Sequence, residues 1–307
     1  MGTQTTTTTW PRIFTAMVTP FAEDGSLDLD KARNLARFLI AHGTDGIIVA
    51  ATTGESPTLS LEERRALFEA VAEVSRPLGV PVWVGTGTND TRASIRLTEA
   101  ADSWGADGML VVTPYYNKPP QEGLYRHFRA VAASTTRPVM LYNVPGRTGV
   151  NLAPETALNI MHDQPNVLAI KEASGSVEAV ARLVAGLPEG ARVYSGDDGL
   201  YYPTLALGGW GVVSVASHVA GPQMAAIWQA VTAGDWARAQ ALHQQLLPLF
   251  KELFVVTNPI PVKWALNYLG IPVGDVRLPL VTPPDRTFAR LAGLLDAVAQ
   301  PAAAGAR

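Results

Sequence analysis

Cysteine is absent from this chain. That removes disulfides, cysteine zinc sites and thiol nucleophiles from consideration. Histidine is sparse: His42, His127, His162, His218 and His243 include no His-x-x-x-His pair, so spacing gives no case for a zinc site. A surplus of one charge is missing too. The net charge of −3 over 307 residues offers no footprint for nucleic acid or an anionic membrane surface. No apolar run approaches the roughly 18–20 residues of a membrane span. The opening "MGTQTTTTTW" has no apolar signal region, and its Met-Gly start before a threonine tract gives too little context for a myristoylation reading. Residues 1–10 are read as a disordered leader and the terminal "PAAAGAR" as a frayed tail. The default compartment is the cytoplasm.

What the chain does have is a core. Apolar residues make up 47% and charged residues 17%, enough for one large domain or two moderate ones. Eight short apolar, β-branched runs recur at 12–20, 45–52, 80–87, 106–114, 138–145, 166–173, 191–198 and 211–217. Each is nearly all apolar until its last two or three residues, the pattern of a parallel strand covered on both faces. Helical patterns lie between them. Leu29, Ala32, Leu35, Ala36 and Leu39 share one helical face, with Gly43 as the stop. Ser60 and Glu63 form a capping-box signature, and Pro154 suits a first helical turn. The alternation predicts an α/β (β/α)8 TIM barrel over 11–234. A doubly wound open sheet would show G-x-G-x-x-G after its first strand, where this chain has "VTPFAEDG". Beyond about 235 only helical patterns remain, so 235–307 is expected to be a C-terminal helical region packed on the barrel.

In such a barrel the chemistry sits at the C-terminal ends of the strands. Those ends read "TTGES", "GTGTND", "TPYYNKPP", "YNVPGRTG", "KEASGS" and "SGDDG". Lys171 leaves an apolar strand directly into a Ser/Gly turn. Desolvation disfavours a charged lysine there, and a neutral amine can attack a ketone to give a Schiff base. The competing reading is a structural ion pair with Glu172 or an aspartate of "SGDD". Tyr142, near the end of the preceding strand, can relay protons or can be a core aromatic with a satisfied hydroxyl. Thr52 and Thr53 can orient that phenol and bind a carboxylate, aided by the Gly54 N–H and the start of the next helix, or can belong to an ordinary turn. Arg147 can grip a carboxylate or be a solvated surface side chain. These groups fall at strand ends on one face.

The ordered motifs "TTGES", "VTPYYNKPPQEGLYRHF", "LYNVPGRTG", "IKEASG", "SGDD" and "NPIPVK" resemble the dihydrodipicolinate synthase (4-hydroxy-tetrahydrodipicolinate synthase) family, of the pyruvate-dependent class I aldolase superfamily, from about residue 12 to 295. The resemblance implies that Lys171 forms a Schiff base with pyruvate. It implies a proton relay of Thr52, Tyr142 and Tyr116, with Tyr116 reaching in from a neighbouring subunit. Thr53 would bind the pyruvate carboxylate and Arg147 the carboxylate of L-aspartate-4-semialdehyde. Gly196 and Val213 match positions whose backbone lines the lysine pocket. The implied reaction needs no metal or organic cofactor, and the implied assembly is a homotetramer, a dimer of dimers. Tyr115 and Tyr116 on a proline-flanked loop suit an interface, or could stack on their own barrel rim. Some relatives are inhibited by lysine at a cleft between subunits. Ser56, Asn89 and Tyr115 match polar positions of that cleft, but Leu61 and Arg64 stand where two histidines align and Ala93 where a glutamate aligns, so weak or absent inhibition is expected. Another aldolase of the superfamily, such as N-acetylneuraminate lyase or a 2-keto-3-deoxygluconate or 4-hydroxy-2-oxoglutarate aldolase, shares the lysine and tyrosine. A non-catalytic barrel that binds a keto acid is the reading from another class.

Overall fold

Each apolar run yields one strand: β1 Ile13–Ala16, β2 Gly46–Val49, β3 Val82–Gly85, β4 Gly108–Val112, β5 Val139–Asn143, β6 Val167–Glu172, β7 Arg192–Ser195 and β8 Gly211–Ser214. The structure, a computed structural model, describes residues 10–299. The expected tail "PAAAGAR" and residues 1–9 of the expected leader lie outside the described residues. Trp10 does not belong to a leader: its ring packs edge-on against Trp83, with centroids 5.5 Å apart.

The strands are shorter than the apolar runs because the last residues of each run curl into the loops. All neighbours pair in parallel in chain order, and β1 pairs with β8 to close the barrel. Strand pleat sorts the side chains. Phe14, Ile48, Met140 and Val213 point inward with Trp83, Leu110, Ala169 and Tyr194. Their sequence neighbours Ile13, Ile47, Val49, Val139, Leu141 and Val212 face the helices. Both faces are buried, which is why the runs lack polar alternation.

The helices begin and end where their local chemistry directs. Asp28 accepts the Lys31 N–H at 3.0 Å to open Leu29–Ala41, whose buried face is Ala32, Leu35, Ala36 and Leu39. Gly43 leaves that helix with φ of 93°, a conformation glycine adopts freely. The capping box forms at Leu61–Ser75, and Pro154 occupies the first turn of Pro154–Asp163.

Asp235 caps Trp236–Glu252, so the composition change at 235 coincides with a helix start. The helical pattern continues to Val256, but the helix ends at Glu252 and leaves Phe254 and Val255 exposed. Helices Ile260–Tyr268 and Ala289–Ala299 complete the region. The segment between them crosses back to the barrel, where Val273 O accepts the Phe21 N–H at 3.0 Å. No described helix is long and apolar enough to cross a membrane.

Candidate active site

Pairing of β5 with β6 sets Tyr142 directly beside Lys171. The lysine Nζ lies 4.3 Å from the centre of the tyrosine ring, and each residue is only 5% exposed. No carboxylate among the described residues forms an ion pair with Lys171. Glu172 points the other way, accepting from Asn143 Nδ2 at 3.0 Å and from the Ser174 N–H at 2.6 Å. Asp198 accepts at Oδ2 from the N–H groups of Val215 and Ala216, at 3.1 and 2.9 Å, and forms no ion pair with Lys171. The structural ion-pair reading of Lys171 therefore fails. Burial pulls its amine down to about 7, opposed by the field of Asp198 and assisted by that of Arg147. A large neutral fraction near pH 7 follows.

Gly196 closes on the lysine stem so tightly that a Cβ there would lie 2.9 Å from both Cε and Cγ of Lys171. A side chain at this position would displace the amine. Val213 lies on β8 with its side chain in the packed barrel interior, in register with Phe14, and Val215, two residues on, lines the cavity.

That cavity, about 160 Å³, is bounded by Lys171, Tyr142, Thr52, Thr53, Gly196 and Asn258. Burial pushes the Tyr142 phenol up, while nearby Arg147 and the Thr52 hydroxyl pull it back. Thr53 is 3% exposed, and its Oγ1 accepts from Asn258 Nδ2 at 2.9 Å. This bond leaves the threonine's own proton free to be donated. The Gly54 carbonyl is anchored by the Thr19 hydroxyl at 2.6 Å. The expected helix start beside Gly54 is absent. A three-residue 3-10 turn, Ser56–Thr58, follows the threonines, and the α-helix begins only at Leu61, so no helix dipole acts here. Arg147 sits on a one-turn helix, Pro145–Thr148, rather than a loop, exposed, with a long 3.5 Å contact to the Asn258 carbonyl. It also lines an adjoining cavity of about 320 Å³ with Ser56, Arg64 and Tyr115.

Tyr116 is not brought to the lysine of its own chain. It is 88% exposed, with φ of 74°, and only its N–H is engaged, by the Thr148 carbonyl at 3.2 Å. Stacking on its own rim is thereby ruled out. Asn89 offers its carbonyl to Asn117 Nδ2 at 2.8 Å. Leu61 is half exposed, Ala93 closes the cap of its helix, and the half-buried Arg64 donates to the carbonyls of Ser56, Leu59 and Gly85.

Three groups at the site had no role assigned from sequence. Asn258 and Lys263 both lie in "NPIPVK", far from the strand ends in the chain. The available signal was a lysine inside an apolar helix, Ile260–Tyr268, and an asparagine in the turn that precedes it. Glu55 is the third, a carboxylate 3% exposed that follows the threonines after Gly54.

Residues 9–297 match a family model described as the dihydrodipicolinate synthetase family. The 4-hydroxy-tetrahydrodipicolinate synthase of Bacillus subtilis is 56% identical over 270 residues, covering 88% of this chain and 92% of that one. The crystal structure of dihydrodipicolinate synthase DapA-2 from Bacillus anthracis superposes with a TM-score of 0.91 at 45% identity, covering 95% of this chain and 99% of the other. The lysine-bound enzyme from Cyanidioschyzon merolae gives a TM-score of 0.91 at 44% identity, over 94% and 97% of the two chains.

Proposed function

The chain belongs to the dihydrodipicolinate synthetase family, and from that premise we propose that it condenses pyruvate with L-aspartate-4-semialdehyde to 4-hydroxy-tetrahydrodipicolinate through a Schiff base on Lys171. It acts as a 4-hydroxy-tetrahydrodipicolinate synthase, at the entry to diaminopimelate and lysine biosynthesis. The observation that carries this reading is a buried lysine with no ion-pair partner among the described residues, its amine at about 7, set against Tyr142.

The neutral amine adds to the pyruvate ketone, and loss of water leaves an iminium. Tyr142 and Thr52 pass the protons of that addition and dehydration. Thr53, already accepting from Asn258, donates its free hydroxyl proton to the pyruvate carboxylate. A methyl proton leaves as the iminium becomes an enamine, whose carbon attacks the semialdehyde aldehyde. Arg147, at the mouth of the cavity, holds the second carboxylate. The semialdehyde amine then displaces Lys171 and closes the ring, so that one water is released overall. The test is direct: purified protein supplied with both substrates forms the heterocycle. Failure to do so, with cleavage of a keto-sugar acid instead, moves the assignment to another aldolase of the superfamily.

Tyr116 completes the relay of a neighbouring copy. Its near-total exposure on a chain rich in buried aromatics supports this, with a homotetramer built from the shared-tyrosine dimer as the assembly. The compartment is the cytoplasm. The lysine cleft carries Arg64 and Leu61 where an effector amine needs acceptors, so lysine acts weakly or not at all. Arg64 already satisfies the carbonyls around it.

A further inference from the structure

The turn that carries Thr52 and Thr53 is held from the far end of the chain. Glu55 follows it with φ of 54°, in the left-handed region that non-glycine residues seldom adopt. Its carboxylate accepts from Lys263 Nζ at 2.7 Å and from the Arg277 N–H at 2.8 Å. Lys263 is 1% exposed; its Nζ also donates to the Asp275 carbonyl at 2.7 Å and lies 4.2 Å from the centre of the Phe21 ring. From the same region Asn258 reaches Thr53. Both hydrogen-bond partners of the Glu55 carboxylate among the described residues thus come from beyond residue 260.

Stability alone does not explain a pair like this. An apolar pair of equal volume, well packed, usually holds a fold as firmly as a buried ion pair. What the charges add is direction. Two bonds to one carboxylate fix the orientation of Glu55, and with it the strained backbone of the turn that sets the two threonines on the wall of the Lys171 cavity. We infer that Glu55 and Lys263 are positioning residues for the pyruvate carboxylate site, acting through Thr53 and Thr52, so that the C-terminal region is part of the binding machinery. This rests on reading the site as a Schiff-base centre for pyruvate.

The experiment is borohydride trapping of pyruvate on Lys171, titrated with pyruvate, in the full-length enzyme. The double variant Glu55→Gln with Lys263→Met leaves no unpaired buried charge and is the variant expected to fold. Its half-saturating pyruvate concentration rises by about tenfold or more, since small misplacements of a binding group are costly, while trapping at saturation stays complete. The KM for the semialdehyde changes by less than about twofold, a split that general loosening does not produce. Glu55→Gln alone, which keeps Lys263 bonded to Asp275, shifts pyruvate binding in the same direction by less. Leu249→Ala, in the C-terminal helix core, lowers Tm without moving the half-saturation. An unchanged half-saturation in the double variant overturns the inference, as does an equal rise in Leu249→Ala. If the unaltered enzyme traps nothing, the Schiff-base reading itself has failed.

Discussion

Tyr142 and Tyr194 are both buried phenols inside the barrel, one on each side of β6, and Lys171 is in register with both. Tyr194 turns to the N-terminal end. There its hydroxyl donates to the Pro11 carbonyl at 2.7 Å, its ring packs edge-on against Phe14, and Arg12 and Arg192 lie over Trp210. Burial raises its pKa as it does for Tyr142. The two differ in partners. Tyr194 has given its proton to a fixed backbone acceptor, so it can only hold. Tyr142 faces an amine, a threonine hydroxyl and a cavity, so its proton can move. Burial and a shifted pKa mark both residues. Only the freedom of the proton separates the closed end of the barrel from the reactive one.

The largest break in that contrast is at Lys171. Lys171→Met abolishes heterocycle formation, a loss on the order of 10³-fold or more by steady-state assay. The same change should stabilise the fold. Lys171 has a folded pKa of about 7 against 10.5 for the free side chain. Below the lower value both states carry the charge and the full penalty of burying it stands. Between the two, the unfolded chain holds more protons and stability rises with pH. The methionine variant is therefore more stable than the parent by about 1–3 kcal/mol at pH 6, and the gap narrows towards pH 10. Denaturant melts at the two pH values check this.

Next in size is the tyrosine pair itself. Tyr142→Phe lowers kcat by about 10²-fold or more, the range for a lost proton relay, with little change in Tm. Tyr194→Phe leaves kcat within about twofold and removes about 1 kcal/mol of stability, because the Pro11 carbonyl keeps the Trp210 Nε1–H at 3.1 Å. Equal effects of the two substitutions on kcat would erase the distinction. A smaller effect is expected at the mouth. Arg147→Ala raises the semialdehyde KM about 10–100-fold, as for loss of a charged hydrogen-bonding partner, and spares pyruvate trapping. The smallest concerns regulation. Millimolar lysine changes the rate less than about twofold, below ordinary allosteric coupling, in an inhibition assay.

The eight strands were legible because a two-faced parallel strand has no polar interruption, and their order follows from the βα alternation. Lys171, Tyr142 and Arg147 were legible because a polar group at the end of an apolar run is conspicuous. Thr53 could be named, but its orientation could not, since that depends on Asn258, more than two hundred residues away. Glu55 and Lys263 were missed for the same reason: a long-range ion pair leaves no local pattern. The short 3-10 turn after the threonines was hidden because "SPT" punctuates without announcing how many residues precede the helix.

The most direct test of Lys171 as the group that becomes covalently bound is reductive trapping with mapping. The protein is treated with pyruvate and borohydride, digested, and analysed by mass spectrometry. One reduced pyruvyl adduct per chain, on the peptide containing Lys171 and growing as pH rises through about 7, is the expected result. No adduct, or an adduct on Lys263 or a surface lysine, contradicts the account.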